Sequence, residues 1–160
     1  RVPNNSRVSV VVYNDNADSY TNDKTIEGKN KRQIEDIISK IKTIVPEGGT
    51  NLAAGLEKLS KAQPSNVYVV TDGLPTRGLS RYETISPFSK CSSLWGQSNK
   101  ISGECRIRLF RHTIQNTKLK NAEINIILLP IEGDPDAARE YWNWSAANNG
   151  ILISPSKGWP

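Results

Sequence analysis

The chain has no methionine, one histidine and two cysteines among its 160 residues. No apolar run comes near the roughly eighteen residues that a membrane-spanning helix needs, so no segment here is expected to enter a bilayer. A zinc centre lacks ligands at workable spacing, because Cys91 and Cys105 form no Cys-x-x-Cys pair and the lone His112 lies seven residues past Cys105. The phosphate-binding signature Gly-x-x-x-x-Gly-Lys is missing, which removes P-loop chemistry. Aromatic residues are scarce at 7%, and there are no internal repeats. No signal peptide and no initiator methionine open the chain, which starts on Arg1 in polar sequence. That beginning reads as an excised or processed piece of a longer protein.

What remains is one domain's worth of ordinary globular composition, long enough for a real core. The net charge is +5 and the pI near 9.3. The densest basic group is Arg106, Arg108 and Arg111, followed by Lys118 and Lys120. Only Phe110 interleaves it and no nucleic-acid motif accompanies it, so it reads as a solvated helix face and nucleic acid is not an expected partner. Cys91 and Cys105 flank a segment rich in Ser, Gly and Asn. A disulfide there would suit an extracytoplasmic setting such as the cell envelope, two free thiols the cytosol. The length of the loop favours the staple.

Along the chain, Arg7 to Tyr13 is β-branched and mostly apolar, a first strand that ends in the turn residues Asn14 to Asp18. A short edge strand is expected between Tyr20 and Ile26. Ile34, Ile37, Ile38 and Ile41 recur at helical spacing from about Lys31 to Thr43, and Pro46 prevents extension. Thr50 is the expected N-cap of a second helix with Leu52, Leu56 and Leu59 on its apolar face. Leu74 to Gly103 has no sustained periodicity and reads as a long loop. Residues 104–117 look helical, with Ile107, Leu109, Phe110 and Ile114 as core positions, and Ile124 to Leu129 is a strand. Asp134 as N-cap and Pro135 at the first helical position open a last helix carrying Ala138, Tyr141, Trp142 and Ala146. Ile151 to Ile153 closes the chain as a strand. Trp142 and Trp144 sit two apart and face different ways, with Trp142 assigned to the core. The order of strands and helices predicts an α/β, Rossmann-like, mostly parallel sheet with helices on both faces.

The segment that bears on chemistry is Thr71-Asp72-Gly73, which follows the unbroken apolar run Val67-Tyr68-Val69-Val70. Such a run predicts a strand buried on both faces, as in parallel sheets covered by helices. Asp-Gly then turns the chain and presents a carboxylate at the carboxyl end of the strand, where ligands of open α/β sheets bind. Gly48-Gly49-Thr50-Asn51 forms a second polar loop before a helix. The two loops suggest a hydroxyl and a carboxylate converging on one hard cation, with Leu74, Thr76 and Arg77 at the rim. Other uses of these residues are Thr50 as a helix cap, Asp72 as a turn residue and Arg77 as a solvated charge.

Gly48-Gly49-Thr50-Asn51-Leu52-Ala53-Ala54-Gly55-Leu56 together with Val69-Val70-Thr71-Asp72-Gly73-Leu74-Pro75-Thr76 resembles the von Willebrand factor type A (VWA) domain. Leu128 to Pro135 and the ending Ile153 to Pro160 resemble a bacterial branch of that family. The resemblance implies a metal-ion-dependent adhesion site that binds Mg²⁺ or another divalent ion at the top of the sheet. Its ligands come from an Asp-x-Ser-x-Ser motif after the first strand, a Thr in the second loop and an Asp in the third, and a carboxylate of the partner protein completes the shell. Thr50 and Asp72 match the last two. Asp-x-Ser-x-Ser is absent: Asp15-Asn16-Ala17-Asp18-Ser19 has another spacing and follows another strand. The chain starts where the family's second strand starts, so the first, central strand is not in it.

Two expectations follow. A cation held by one neutral and one charged ligand is weakly bound, because Mg²⁺ prefers six oxygens and gives up water reluctantly. A sheet without its middle strand leaves backbone groups unpaired, at about 1–3 kcal/mol for each one buried, so a longer parent or another chain is expected to supply that strand. The expected function is non-enzymatic: a protein-interaction or adhesion module that uses an incomplete cation site to meet an acidic residue of a partner protein. The alternatives are a metal-dependent phosphohydrolase using Asp72, with Asp15 or Asp134 facing it, and a structural assembly subunit with a vestigial metal site.

Overall fold

The computed structural model describes residues 2–45, 47–78, 103–119, 121–130 and 134–155. The first strand expected at Arg7 to Tyr13 is two short ones, β1 (Arg7–Val8) and β2 (Val11–Tyr13). β2 turns at Asn14 to Asn16 into the antiparallel β3 (Ala17–Ser19), and β1 pairs with β4 (Ile26–Glu27). The expected edge strand at Tyr20 to Ile26 is therefore replaced by these two, one on each side of a turn. Helix α1 (Lys31–Lys42) follows, capped by the Asn30 side chain, which accepts the Gln33 N–H. Helix α2 (Leu52–Ser60) leads into β5 (Asn66–Thr71). Then come α3 (Gly103–Asn116), β6 (Glu123–Leu128), α4 (Ala137–Ala147) and β7 (Leu152–Ile153).

β5, β6 and β7 form a three-stranded parallel sheet in that order, with Val67 opposite Ile124, Val69 opposite Ile126 and Thr71 opposite Leu128. The chain is thus an α/β fold, as expected. The core lies on one face of this sheet. Val67, Val69, Ile124, Ile126 and Leu128 meet Leu52 and Leu56 of α2, Phe110 of α3, and Tyr141 and Trp144 of α4. Three aromatic rings interlock there: Phe110 stands edge-on to Tyr141 at 4.8 Å and to Trp144 at 5.8 Å, geometry that the ring quadrupoles favour.

Helices on both faces and a doubly buried β5 are not what the described residues show. β5 alternates, with Val67, Val69 and Thr71 buried and Tyr68 and Val70 68% and 53% exposed. Ile153 is exposed on β7, on the same face. Helix α1 does not cover it, for Ile37 alone of its apolar stripe is buried and Ile38 and Ile41 are open to solvent. An apolar run without alternation has no way to signal that one face is left bare. In α4 the core residues are Ala137, Tyr141 and Trp144, while Ala138, Trp142 and Ala146 face out. The helix begins at Ala137, with Asp136 at its N-cap, and it is Trp144 that joins Phe110 and Tyr141 in the core while Trp142 is exposed.

Candidate functional site

Three loops meet at the C-terminal ends of β2 and β5. Asn51, rather than Thr50, caps α2: its side-chain oxygen accepts the Ala54 N–H at 3.1 Å. The same side chain donates to the Asp15 carbonyl at 3.0 Å, and the Asn51 N–H donates to the Asn14 carbonyl at 2.7 Å. These bonds pin the turn after β2 to the start of α2. The turn after β5 is pinned there too. The Thr50 N–H donates to Thr76 Oγ1 at 2.9 Å, and the Thr50 carbonyl accepts the N–H groups of Thr76 and Arg77 at 3.0 and 3.1 Å. The Thr50 loop is therefore joined to the segment that follows Asp72. No hydrogen bond joins the Thr50 hydroxyl to the Asp72 carboxylate among the described residues.

Asp15 belongs to this cluster as well. Its Oδ1 accepts the Gly49 N–H at 3.0 Å and lies 3.3 Å from Arg77 Nε. The glycine pair is what permits that approach. Gly48 sits at φ +82°, and a Cβ on it would stand 2.6 Å from Asp15 Oδ2. Arg77 is therefore an ion-pair partner in the loop cluster and not a merely solvated charge.

Asp134 reaches the Asp72 loop from the other side. Its Oδ2 accepts the Leu74 N–H at 2.7 Å and pairs with Arg106 Nη2 at 2.8 Å, with only 6% of the side chain exposed. The same Arg106 nitrogen donates to the Leu74 carbonyl, so Leu74 is clamped at both backbone groups. This corrects the expectation that Asp134 caps α4. Asp136 stands at that N-cap position without a side-chain capping bond and pairs with Arg139 instead. The strand end is fixed further by Tyr141, whose hydroxyl donates to the Gly73 carbonyl at 3.0 Å, and by Thr71, whose hydroxyl donates to the same oxygen at 3.0 Å. Burial pushes the Tyr141 phenol well above its usual range. Tyr13 reaches toward this point from β2, its hydroxyl buried beside that of Thr71. Burial raises its pKa as well, the Thr71 hydroxyl drawing it part-way back and the Asp72 charge adding to the rise.

Asp72 itself is exposed, and none of these bonds uses its carboxylate. Of three aspartates near the strand ends, Asp15 and Asp134 are neutralised by arginines and Asp72 is left open. Among the described residues no group of three or more His, Cys, Asp or Glu side chains is placed to hold a metal. Thr50 and Asp72 thus match a hard cation in kind and fall short in number.

The basic group on α3 is absorbed by carboxylates. Arg106 holds Asp134, Arg108 holds Glu104 one turn back, and Arg111 makes two 2.8 Å bonds to the buried Glu140 of α4. Cys105 is disulfide-bonded. Cys91, the rest of the long loop over 79–102, and Lys120 lie outside the described residues. No described helix is long and apolar enough to cross a membrane.

The Asp134–Arg106 clamp and the Asp15–Arg77 pair were not foreseen. Both join residues far apart in the chain, and only the close approach allowed by Gly48 and Gly49 left a mark in the sequence. No family model matches the chain, and no curated protein or solved structure matches it either.

Proposed function

We propose that this chain is a non-enzymatic protein-interaction module of the von Willebrand type A kind, with its partner-facing surface at the C-terminal edge of the sheet. The observation that carries this reading is Asp72: an exposed carboxylate, unspent on any described partner, on a loop held rigid from both sides by Thr50 and by the Arg106–Asp134 clamp. Binding groups placed on a stiff frame lose little freedom on association, which favours recognition. Gly48-Gly49-Thr50-Asn51 and Thr71-Asp72-Gly73 support the family assignment, as does the parallel sheet with its loops gathered at one end.

Mg²⁺, the ion the resemblance implies, has two candidate donors here, the Thr50 hydroxyl and the Asp72 carboxylate. Two are too few for an all-protein site, so the further oxygens belong to whatever meets this surface, an acidic residue of the partner included. The chain on its own is expected to bind Mg²⁺ and Mn²⁺ no more tightly than a lone carboxylate does. Calorimetric titration of each ion into the chain and into Asp72→Ala tests this. Tight binding that survives Asp72→Ala would remove Asp72 from the site. Hydrolysis of p-nitrophenyl phosphate with Mg²⁺ or Mn²⁺, abolished in Asp72→Ala, would overturn the non-enzymatic reading.

A further inference from the structure

A cleft of about 340 Å³ opens at the N-terminal end of β6, where α3 and α4 both finish. Its deeper lining is Ile124, the second residue of β6, with Leu119 and Trp144, all three buried. Ile114 adds a further apolar wall. The half-buried and exposed lining is Gln115 and Thr117 at the end of α3 and Ala147 and Asn148 at the end of α4. In the parallel register Ile124 lies opposite Val67, and the Thr71–Leu128 pair comes four residues later on each strand. The cleft therefore sits about 13 Å along the sheet from the strand end that carries Asp72.

The lining limits what can fit. None of its side chains is charged, and Lys118, between Thr117 and Leu119, is not part of it, so a charged ligand would lose water without gaining a counter-charge. Asn148 spends its amide nitrogen on the Trp144 carbonyl at 2.8 Å, which leaves its Oδ1 as an acceptor. Thr117 Oγ1 accepts the Leu119 N–H at 3.4 Å and keeps its own proton to donate. The carbonyl ends of two helices at one mouth add partial negative charge, which favours a ligand N–H over a carboxylate. Trp144 brings the Phe110–Tyr141–Trp144 ring cluster to the cleft, so a flat ring would extend contacts of a kind already made there. The volume is at the low end for small-molecule pockets, which suits one or two rings.

We propose that this cleft binds a small, neutral heteroaromatic molecule of one or two rings that carries an N–H. The ring lies against Trp144 and over Ile124, the N–H donates to Asn148 Oδ1, and the Thr117 hydroxyl serves an acceptor on the ligand where there is one. Ala147 is the small residue that leaves the mouth open. The site is separate from the Asp72 surface, needs no cation and does not depend on the interaction-module reading.

The probe is indole, titrated into the isotopically labelled chain at neutral pH while NMR shifts are read residue by residue. Saturable shifts are expected at Leu119, Ile124, Ala147, Asn148 and the Trp144 indole N–H, and none at Gly73 or Leu74. Benzofuran has the same shape with an oxygen in place of the N–H, and should bind about three- to tenfold more weakly, the factor for one net hydrogen bond. Indole-3-carboxylate should be weaker than indole as well. Ala147→Phe places a ring in the mouth from an exposed position, so the circular dichroism and thermal melt should persist while the shifts are lost. Asp72→Ala should leave the shifts intact, which separates a failure here from a failure at Asp72. The proposal is overturned if the shifts grow without saturating or centre on the exposed Trp142. It is also overturned if benzofuran or the carboxylate binds as tightly as indole, or if folded Ala147→Phe still binds.

Discussion

Removing the Asp134 carboxylate tests whether the Asp72 loop is held in place by a buried ionic clamp. Asp134 is almost wholly buried; Arg106, its partner, is about one-fifth exposed, and the Leu74 N–H depends on the same oxygen. Asp134→Ala removes one hydrogen bond to a charged group, worth about 1.5–3 kcal/mol, and strands a partly buried guanidinium. Breaking a fully buried pair from one side costs about 3–5 kcal/mol. Arg106 keeps the Leu74 carbonyl and some water, so the cost should fall at the low end, about 3 kcal/mol. At about 2–4 °C per kcal/mol for a domain of this size, the melting temperature should drop by about 6–12 °C. Asp134→Asn keeps the shape and an acceptor for the Leu74 N–H, and should lose about half as much. Urea titration and a thermal melt of both variants at neutral pH measure this. A loss below about 0.5 kcal/mol in Asp134→Ala would refute the clamp, since that is the ordinary range of surface substitutions. Equal losses in the two variants would assign the whole effect to the ion pair and none to Leu74.

The Arg111–Glu140 pair carries a pH signature. The two bonds from Arg111 hold the Glu140 carboxyl below its ordinary value of 4.5, against the opposing effect of burial. A depressed carboxylate contributes stability that is present above about pH 4.5 and is lost as the pH falls through the lower, folded-state value. Arg111→Met should therefore lower stability at pH 7 by about 1–2 kcal/mol and flatten the acid limb of the stability curve. The figure is modest because Arg111 is more than half exposed and Arg139 still reaches Glu140 at 3.5 Å. Urea midpoints from pH 3 to pH 7 check both parts, and an unchanged acid limb would contradict the assignment. Gly150→Ala should cost about 2–3 kcal/mol, because its Cβ would stand 1.9 Å from the Ile124 carbonyl oxygen, and backbone gives way less easily than a side chain. A urea midpoint near that of the unaltered chain would show that β7 can slide away from β6.

The sequence made the parallel sheet legible because it depends on short apolar segments that alternate with amphipathic helices. β5 and β6 fell on the apolar runs, and α2, with Leu52 and Leu56 inward, where helical spacing placed it. Cap identity was not legible: Thr50 and Asn51 are both good caps, and only the Asn14 and Asp15 carbonyls show why Asn51 is used. The start of α4 was misjudged because Asp134, a natural N-cap, is drawn off to Leu74 and Arg106. A local rule names the residues that want to start a helix and is blind to a distant partner that wants the same carboxylate. The bare face of β5 was hidden for a related reason. Tyr68 and Val70 are as apolar as buried residues, and burial depends on what lies across from them.

The fold uses three aspartates, Asp15, Asp72 and Asp134, in different ways. Asp15 lies on the double glycine with an arginine beside it, and Asp134 lies under Leu74 with another. Each has its charge answered from within the fold, so neither has much to offer an incoming group. Asp72 stands on the loop after β5, exposed, with no ion-pair partner among the described residues. An exposed carboxylate alone would be unremarkable, since most aspartates are solvated. Here the surrounding loops are fixed by eight or so hydrogen bonds and ion pairs that converge on the segments next to it, and none of them uses it. A fold that spends its arginines and backbone donors on the neighbours of one carboxylate has set that carboxylate in position while leaving its charge free. Under the proposed function, that free charge is what a partner, or a cation shared with it, would meet.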